Sequence, residues 1–306
     1  MKNNSTILIT GGSGMIGERL SELLISKGYQ VNIFSRNCSN KNSHHCFNWD
    51  PNNGDYDKRA IENVNTIINL AGAGIADKAW TSERKKLIIE SRTSSIELIQ
   101  KILRENPHNV KTVLSASAIG YYGDAGKKLV DENSKKGRGF LADSTDDWEN
   151  ASKKFNALDV RNVIFRIGIV LSDKGGAFKE LTQTLPFRFL TILGKGDQYM
   201  SWIHLDDICR SFIHSIENTD VKGTYNITTE TPVTNKELNQ VIKKHNKHFT
   251  VLLSVPKFIL NLILGERASV VLNSSNVSSQ KFRETGFRLK YDSIDSCVIN
   301  LLNGKA

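Results

Sequence analysis

Apolar segments of strand length alternate with helix-period segments through the first two-thirds of the chain, and this predicts an α/β protein whose parallel sheet is covered by helices on both faces. Two further observations refine it. A glycine-rich turn joins the first strand to the first helix, and the pattern loosens beyond Gly168 into a largely helical last stretch. The expected organisation is therefore a doubly wound sheet domain over 1–228 and a smaller, mostly helical lobe over 229–306, to which 172–204 also contributes.

The elements follow in order. Ile7-Leu8-Ile9-Thr10 reads as a strand, and Ile16, Leu20, Leu23 and Leu24 form one face of a helix that Gly28 closes. Val31 to Phe34 is a second strand and Thr66 to Ala71 a third apolar block. A long helix then places Leu87, Ile88, Ser91, Ser95, Leu98, Ile99 and Ile102 on one face and stops before Pro107. Strands at Thr112–Ser115 and Val163–Ile167 flank a helix around Trp148, Ala151 and Phe155, for which Asp143-Ser144 supply capping residues. A last strand is expected at Thr224–Ile227.

Composition narrows the class. With 39% hydrophobic residues and 5 prolines the chain is neither disordered nor fibrous. Cys38, Cys46, Cys209 and Cys297 show no paired spacing, and Met1-Lys2-Asn3-Asn4 runs into a strand instead of a leader core, so a cytoplasmic location is expected. The longest apolar run, Phe258 to Leu264, is broken by Asn261 and far shorter than the roughly 18 residues of a membrane span. The net charge of +9 invites a nucleic-acid reading, but its densest cluster, Lys243 to His248, lacks interleaved aromatics and sits at a helix end, where cations are favoured anyway. Cys38, His44, His45 and Cys46 lack the short paired spacing of a zinc site, so no metal is expected.

The first turn, Thr10-Gly11-Gly12-Ser13-Gly14-Met15-Ile16-Gly17, carries the chemistry. Glycines at 11, 14 and 17 allow a tight turn, close approach of a pyrophosphate, and contact between helix and strand, with the helix N-terminus facing the negative charge. Dinucleotide binding is the expected consequence, because the triplet follows a strand and opens an amphipathic helix. At the end of the second strand, Phe34-Ser35-Arg36-Asn37 offers a base and no carboxylate. Arg36 suits a 2′-phosphate, so NADP(H) is expected in preference to NAD(H).

These residues, together with Asn69-Leu70-Ala71-Gly72-Ala73, Ser115-Ala116-Ser117-Ala118-Ile119-Gly120-Tyr121-Tyr122-Gly123, Arg166 to Leu171 and Ser201-Trp202-Ile203-His204, resemble the extended short-chain dehydrogenases/reductases. More narrowly they resemble the atypical "epimerase family protein" branch of the NAD-dependent epimerase/dehydratase superfamily. The segment from Pro256 through Leu264-Gly265-Glu266 to Thr285-Gly286-Phe287 resembles that branch's C-terminal extension. The resemblance implies a Rossmann-type sheet domain with a substrate lobe. It places the pyrophosphate on Gly11, Gly12, Ser13, Gly14, Met15, Ile16 and Gly17, the ribose beside Leu70, Ala71 and Gly72, and Ser117 at the family's catalytic Ser/Thr.

The reaction does not carry over as simply. In the wider superfamily a tyrosine acid/base works with a lysine four residues later, but the residues four beyond Tyr29, Tyr56, Tyr121, Tyr122, Tyr199, Tyr225 and Tyr291 are Ile33, Ala60, Ala125, Gly126, Ile203, Thr229 and Asp295. Substitutes are Tyr121 or Tyr122 as proton donor and Glu149 as acid/base. Arg166, inside an apolar strand, needs an anionic partner, either a ligand group or a carboxylate of the protein. His204 is a substrate-side candidate, or a partly buried histidine bonded to Asp206 or Asp207. Two functions are compatible with this set: an oxidoreductase or isomerase acting on a small, anionic or nucleotide-linked molecule, and a non-catalytic NADP(H)-binding regulator. The expected partners are a small-molecule substrate and at most a second copy of the chain, with no nucleic acid and no membrane.

Overall fold

A computed structural model describes residues 5–38 and 45–304. Strand β1 (Thr6–Thr10) leads through the glycine turn into helix α1 (Met15–Ser26) and back to β2 (Gln30–Ser35), β3 (His45–Asp50) and the short β4 (Asp55–Tyr56). The chain then crosses to β5 (Val64–Asn69), runs down α2 (Ser82–Glu105), and continues through β6 (Thr112–Ala118), the short β7 (Leu129–Val130), α3 (Phe140–Lys153) and β8 (Arg161–Ile167). After β9 (Ile169–Leu171), α4 (Gly176–Thr182), β10 (Phe189–Leu193), β11 (Tyr199–Met200), β12 (Trp202–His204) and α5 (Leu205–Glu217), strand β13 (Gly223–Ile227) returns to the main sheet.

The main sheet has the order β13-β8-β6-β5-β1-β2-β3-β4, with every pairing parallel except β3 with β4. Such strands are buried on both faces, which is why they read as continuous apolar runs. Ile7 and Ile9 of β1 pack with Leu20, Leu24, Ile208 and Phe212 on one face, while Leu8 packs with Ile99, Ile102 and Phe155 on the other. From β1 the chain first builds outward through β2 and β3, then reverses to β5. A crevice therefore opens at the carboxyl ends of β1 and β5, the place where doubly wound sheets bind ligands.

The second lobe contains α6 (Asn235–His245), α7 (Lys257–Leu264), α8 (Ala268–Leu272), α9 (Gln280–Arg283) and α10 (Ile294–Asn303), together with β14 (Val233–Thr234), β15 (Val251–Val255) and β16 (Asn276–Val277). Its strands form two-stranded pairs with earlier segments: β10 with β15, β11 with β14 and β7 with β16. Its core gathers Leu171, Phe178, Trp202, Leu238 and Val298.

Three local expectations are corrected. His45 and Cys46, where no strand is expected from the sequence, open a strand beside β2, with Ile33 opposite Cys46. That pairing brings Cys38 and Cys46 to a Cα separation of 5.6 Å, and they form a disulfide, so the expectation of four unpaired cysteines fails. His44 lies outside the described residues. Helix α3 begins at Phe140, not at Asp143-Ser144; Gly139, at φ 95°, turns the chain into it without a side-chain cap.

The remaining cysteines, Cys209 and Cys297, are free and buried. Thiol titration of the denatured, unreduced protein should therefore find those two groups, and reduction should expose all 4. Closing so short a loop is worth about 2–3 kcal/mol, so dithiothreitol should lower the thermal midpoint by roughly 5 °C. Four titratable thiols before reduction would refute the pairing.

Candidate active site

At the crevice, the two facing loops are locked together by β1's last residue. The Thr10 hydroxyl donates to Asn69 Oδ1 at 2.6 Å and accepts from the Ala71 amide at 3.2 Å, and the Leu70 amide donates to the Thr10 carbonyl. Gly11 turns with φ 67°, and a Cβ there would lie 2.8 Å from the Leu70 backbone. A Cβ on Gly17 would stand 2.6 Å from Gly12 Cα. No side chain caps α1, whose first residue follows Gly14, so the turn leaves backbone donors facing the crevice. This is a cradle of backbone packed too closely for side chains, and its uncapped helix start fits a pyrophosphate. Gly12, Ser13, Gly14, Met15, Ile16 and Gly17 all belong to it.

Arg36 lies just beyond β2, exposed, and borders a cavity of about 400 Å³ with Asn48, Trp49, Asp50, Asp55, Tyr56 and Asp57. It joins no ion pair among the described residues. The wall of this cavity was missed from sequence because it is built by the unrecognised strand β3, whose Trp49 stacks on Phe34 at 5.0 Å.

On the other side of the crevice, β6 carries Ser117, α3 carries Glu149 and β8 carries Arg166. Ser117 Oγ donates to Glu149 Oε1 at 2.7 Å, while Arg166 donates to the same carboxylate through Nε at 2.7 Å and Nη2 at 2.8 Å. The pair is shut off from solvent, with side-chain exposures of 5% for Arg166 and 0% for Glu149. Arg166 Nη1 also donates to the Tyr122 hydroxyl at 2.9 Å, which donates on to Asn226 Oδ1 at 2.7 Å. The Tyr121 ring lies flat against this system, its centroid 3.5 Å from Arg166 Cζ. Burial disfavours the Arg166 charge, but the Glu149 hydrogen bonds and charge outweigh it and hold the guanidinium well above its ordinary range. Burial pushes the Tyr122 hydroxyl up to about 12. Arg166 thus finds its anion within the protein.

Loop 72–75 is held from behind by α2. Arg92 donates to the Ala73 carbonyl at 2.9 Å and stacks its guanidinium 4.1 Å from the Trp148 ring; Arg84 donates to the Gly74 carbonyl at 2.5 Å. Gly72 is exposed, and a Cβ there would lie 2.6 Å from Arg92 Cζ, so a side chain at 72 would displace the arginine from this position. Desolvation, reinforced by Arg84, pulls Arg92 down to about 10. Sequence reading did not single out Arg92; it carries no motif, and its role depends on α3 packing beside α2.

His204 lies away from this group. It caps α5, its Nδ1 accepting from the Asp206 amide at 3.0 Å; Nε2 meets Asn300 Oδ1 at 3.1 Å and the ring stacks on Tyr291 at 3.8 Å. Both nitrogens are engaged within the fold.

Known proteins place this architecture. Residues 7–140 match the NAD dependent epimerase/dehydratase family, and 255–301 match a domain of unknown function (DUF1731). An epimerase family protein of Mycobacterium leprae (strain TN) is 32% identical over 96% of this chain and 94% of its own length. The epimerase family protein YfhF of Bacillus subtilis (strain 168) is 30% identical over 97% of each. The chain belongs to the NAD dependent epimerase/dehydratase family. Among solved structures sharing the family fold, human epimerase family protein SDR39U1 (isoform 2) with NADPH superposes with a TM-score of 0.86 at 24% identity, over 97% of this chain and 99% of its own. The UDP-N-acetylglucosamine 4-epimerase of Bacillus cereus gives 0.79 at 17%, over 99% and 100%. The site in this chain is built on the buried carboxylate–guanidinium pair behind Ser117.

Removing either partner of that pair leaves a buried ion unpaired. Glu149→Ala and Arg166→Ala should each lower the unfolding free energy by about 3–5 kcal/mol, read by urea denaturation; a loss below about 1 kcal/mol would mean that the network is not closed in solution. His204 offers a second test. Burial, acting against the nearby Asp206 and Asp207, lowers it from the ordinary 6.5. Below 6.5 the unfolded chain therefore binds the extra proton first, and stability declines as the pH falls through the folded value. Thermal midpoints should drop between pH 7.5 and pH 5.5, and His204→Gln should reduce that drop; an equal drop in the variant would assign it elsewhere.

Proposed function

We propose that the protein is an NADP(H)-binding oxidoreductase or isomerase of the epimerase-like group, acting on a small anionic or nucleotide-linked molecule. The observation that carries this is the placement of the glycine cradle and the Ser117–Glu149–Arg166 network on opposite sides of one switch-point crevice. The residues from Gly11 to Gly17 bind the pyrophosphate, Arg36 meets a 2′-phosphate at the mouth of its cavity, and Leu70 to Gly72 run beside the ribose. The human relative solved with NADPH supports the phosphorylated cofactor.

The nicotinamide, when bound, supplies or accepts hydride. The chain's own residues then handle the proton. Ser117, whose proton is engaged by Glu149, keeps lone pairs that accept a hydrogen bond from a substrate hydroxyl and orient it. Tyr121 is the proton donor: its ring is fixed on Arg166, and its hydroxyl has no hydrogen bond among the described residues. Tyr122 keeps Arg166 in register. Glu149, with no exposed surface, acts only through Ser117.

A regulatory reading has one observation in its favour: Glu149 and Arg166 satisfy each other, so that neither charge is open to substrate. Incubation with NADPH and a panel of carbonyl compounds and nucleotide sugars separates the two. The enzyme reading expects turnover that Tyr121→Phe lowers about 100-fold with the NADPH affinity unchanged; tight NADPH binding with no turnover on the whole panel would leave the regulator. Arg36→Glu should weaken NADPH about 10- to 100-fold and spare NADH. Equal losses for both cofactors would remove Arg36 from the 2′-phosphate site.

A further inference from the structure

The second lobe carries an apolar face outside the residues assigned to the proposed reaction. It begins at Phe249, continues along β15 and, through Pro256, directly into α7. Strand alternation puts Leu252 inward, against the lobe's core, and leaves Val251 and Leu253 exposed. In α7 the buried residue is Leu260, while Phe258 and Leu262, one helical turn apart, stand 71% and 84% exposed beside an open Ile263. The parallel pairing of Phe189 with Val251, and the bond from the Val251 amide to the Arg188 carbonyl, bring the 187–188 turn alongside. Phe187 there is 74% exposed and Phe249 is 77% exposed. Isolated exposed apolar residues are ordinary, but a continuous run of large ones marks a contact surface.

Charge selects the partner. Neither 181–196 nor 238–265 contains an aspartate or glutamate. Arg188, Lys195, Lys247 and Lys257 are exposed on these segments, and none of them joins an ion pair among the described residues. A symmetric dimer through this face would set like cations against one another. Large apolar side chains beside unpaired lysines and arginines suit an interface in which the apolar groups enter the headgroup boundary and the cations meet anionic headgroups.

We propose that the face formed by Phe249 to Leu264 and the adjoining Phe187-Arg188 turn docks on an anionic lipid bilayer. No helix among the described residues is long and apolar enough to cross a membrane, and surface docking requires none. The expectation of no membrane partner rested on spanning length, which does not bear on surface docking. The turn after α7 is tied to the loop leaving Gly72, by Arg267 donating to the Ala76 carbonyl at 3.0 Å and by the Lys85–Glu266 ion pair. The docked face therefore adjoins the candidate active site.

The test is cosedimentation of the full chain with vesicles of phosphatidylglycerol and phosphatidylcholine. Pelleting is expected at low salt, falling about tenfold or more on phosphatidylcholine alone or at high salt. Leu262→Glu/Ile263→Glu and, separately, Lys247→Glu/Lys257→Glu should each reduce it about tenfold or more, with thermal midpoints near that of the parent because all four side chains are exposed. Absence of pelleting with anionic vesicles, or pelleting unchanged in Leu262→Glu/Ile263→Glu, overturns the proposal. A concentration-dependent dimer that the same double variant dissolves, without vesicle binding, gives the face to a second copy and overturns it equally.

Discussion

The buried pairing of Glu149 with Arg166 is the constraint on which the geometry of the Ser117 side of the crevice depends. Glu149 has no exposed side-chain surface and Arg166 almost none, so each is tolerable only with the other in place, and both guanidinium-to-carboxylate bonds must form. That requirement fixes α3 against β8. Through Ser117 it fixes β6, and through Tyr122 and Asn226 it reaches β13 and the Ser278 carbonyl of the second lobe. One ion pair thus sets the relation of three strands, a helix and part of the lobe. The Ser117 rotamer follows from it.

The other end of the crevice is governed by steric exclusion. Gly11 lies against the Leu70 backbone and Gly17 against Gly11 and Gly12, so the first turn and the loop after β5 approach more closely than any side chain allows. The closeness is maintained by Thr10, which bonds the second loop through both its backbone carbonyl and its hydroxyl. Behind that loop, Arg92 and Arg84 replace the missing regular structure by holding successive carbonyls. The glycine-turn end is held by backbone contact, the Ser117 end by charge, and both stand at the carboxyl ends of adjacent strands because the sheet reverses there.

Much of this was legible from sequence, and for physical reasons. Strands β1, β2, β5, β6 and β8 are covered on both faces and so present unbroken apolar runs, and the glycine cradle is a local feature of one turn. What escaped was non-local or weakly patterned. Strand β3 near the sheet edge mixes exposed His45 and Asn48 with buried Trp49 and does not read as a core strand. The disulfide needs β2 and β3 side by side before a spacing of 8 residues means anything. Asp143 and Ser144 resemble caps, but the helix had already begun at a glycine whose positive φ leaves no sequence pattern beyond the residue itself. Arg166 announced that it needed an anion. Which anion depended on α3 crossing β8, and sequence alone left that open.

The same network bears on how the proposed reaction is divided among residues. Glu149 accepts three hydrogen bonds, two from Arg166 and one from Ser117, and none of its surface reaches the crevice. On the proposed reading a substrate meets the carboxylate only by way of Ser117, whose hydrogen is already directed inward. Tyr122 is likewise occupied, between Arg166 and Asn226. Tyr121 alone of the four sequence candidates combines partial exposure with a hydroxyl that has no hydrogen bond among the described residues, and the cation beneath its ring holds that ring at the crevice. On the proposed reading the missing tyrosine–lysine pair is not replaced residue for residue. Its two tasks are separated, with proton donation at Tyr121 and the orienting cation at Arg166, which reaches the tyrosine through its ring face instead of along a helix.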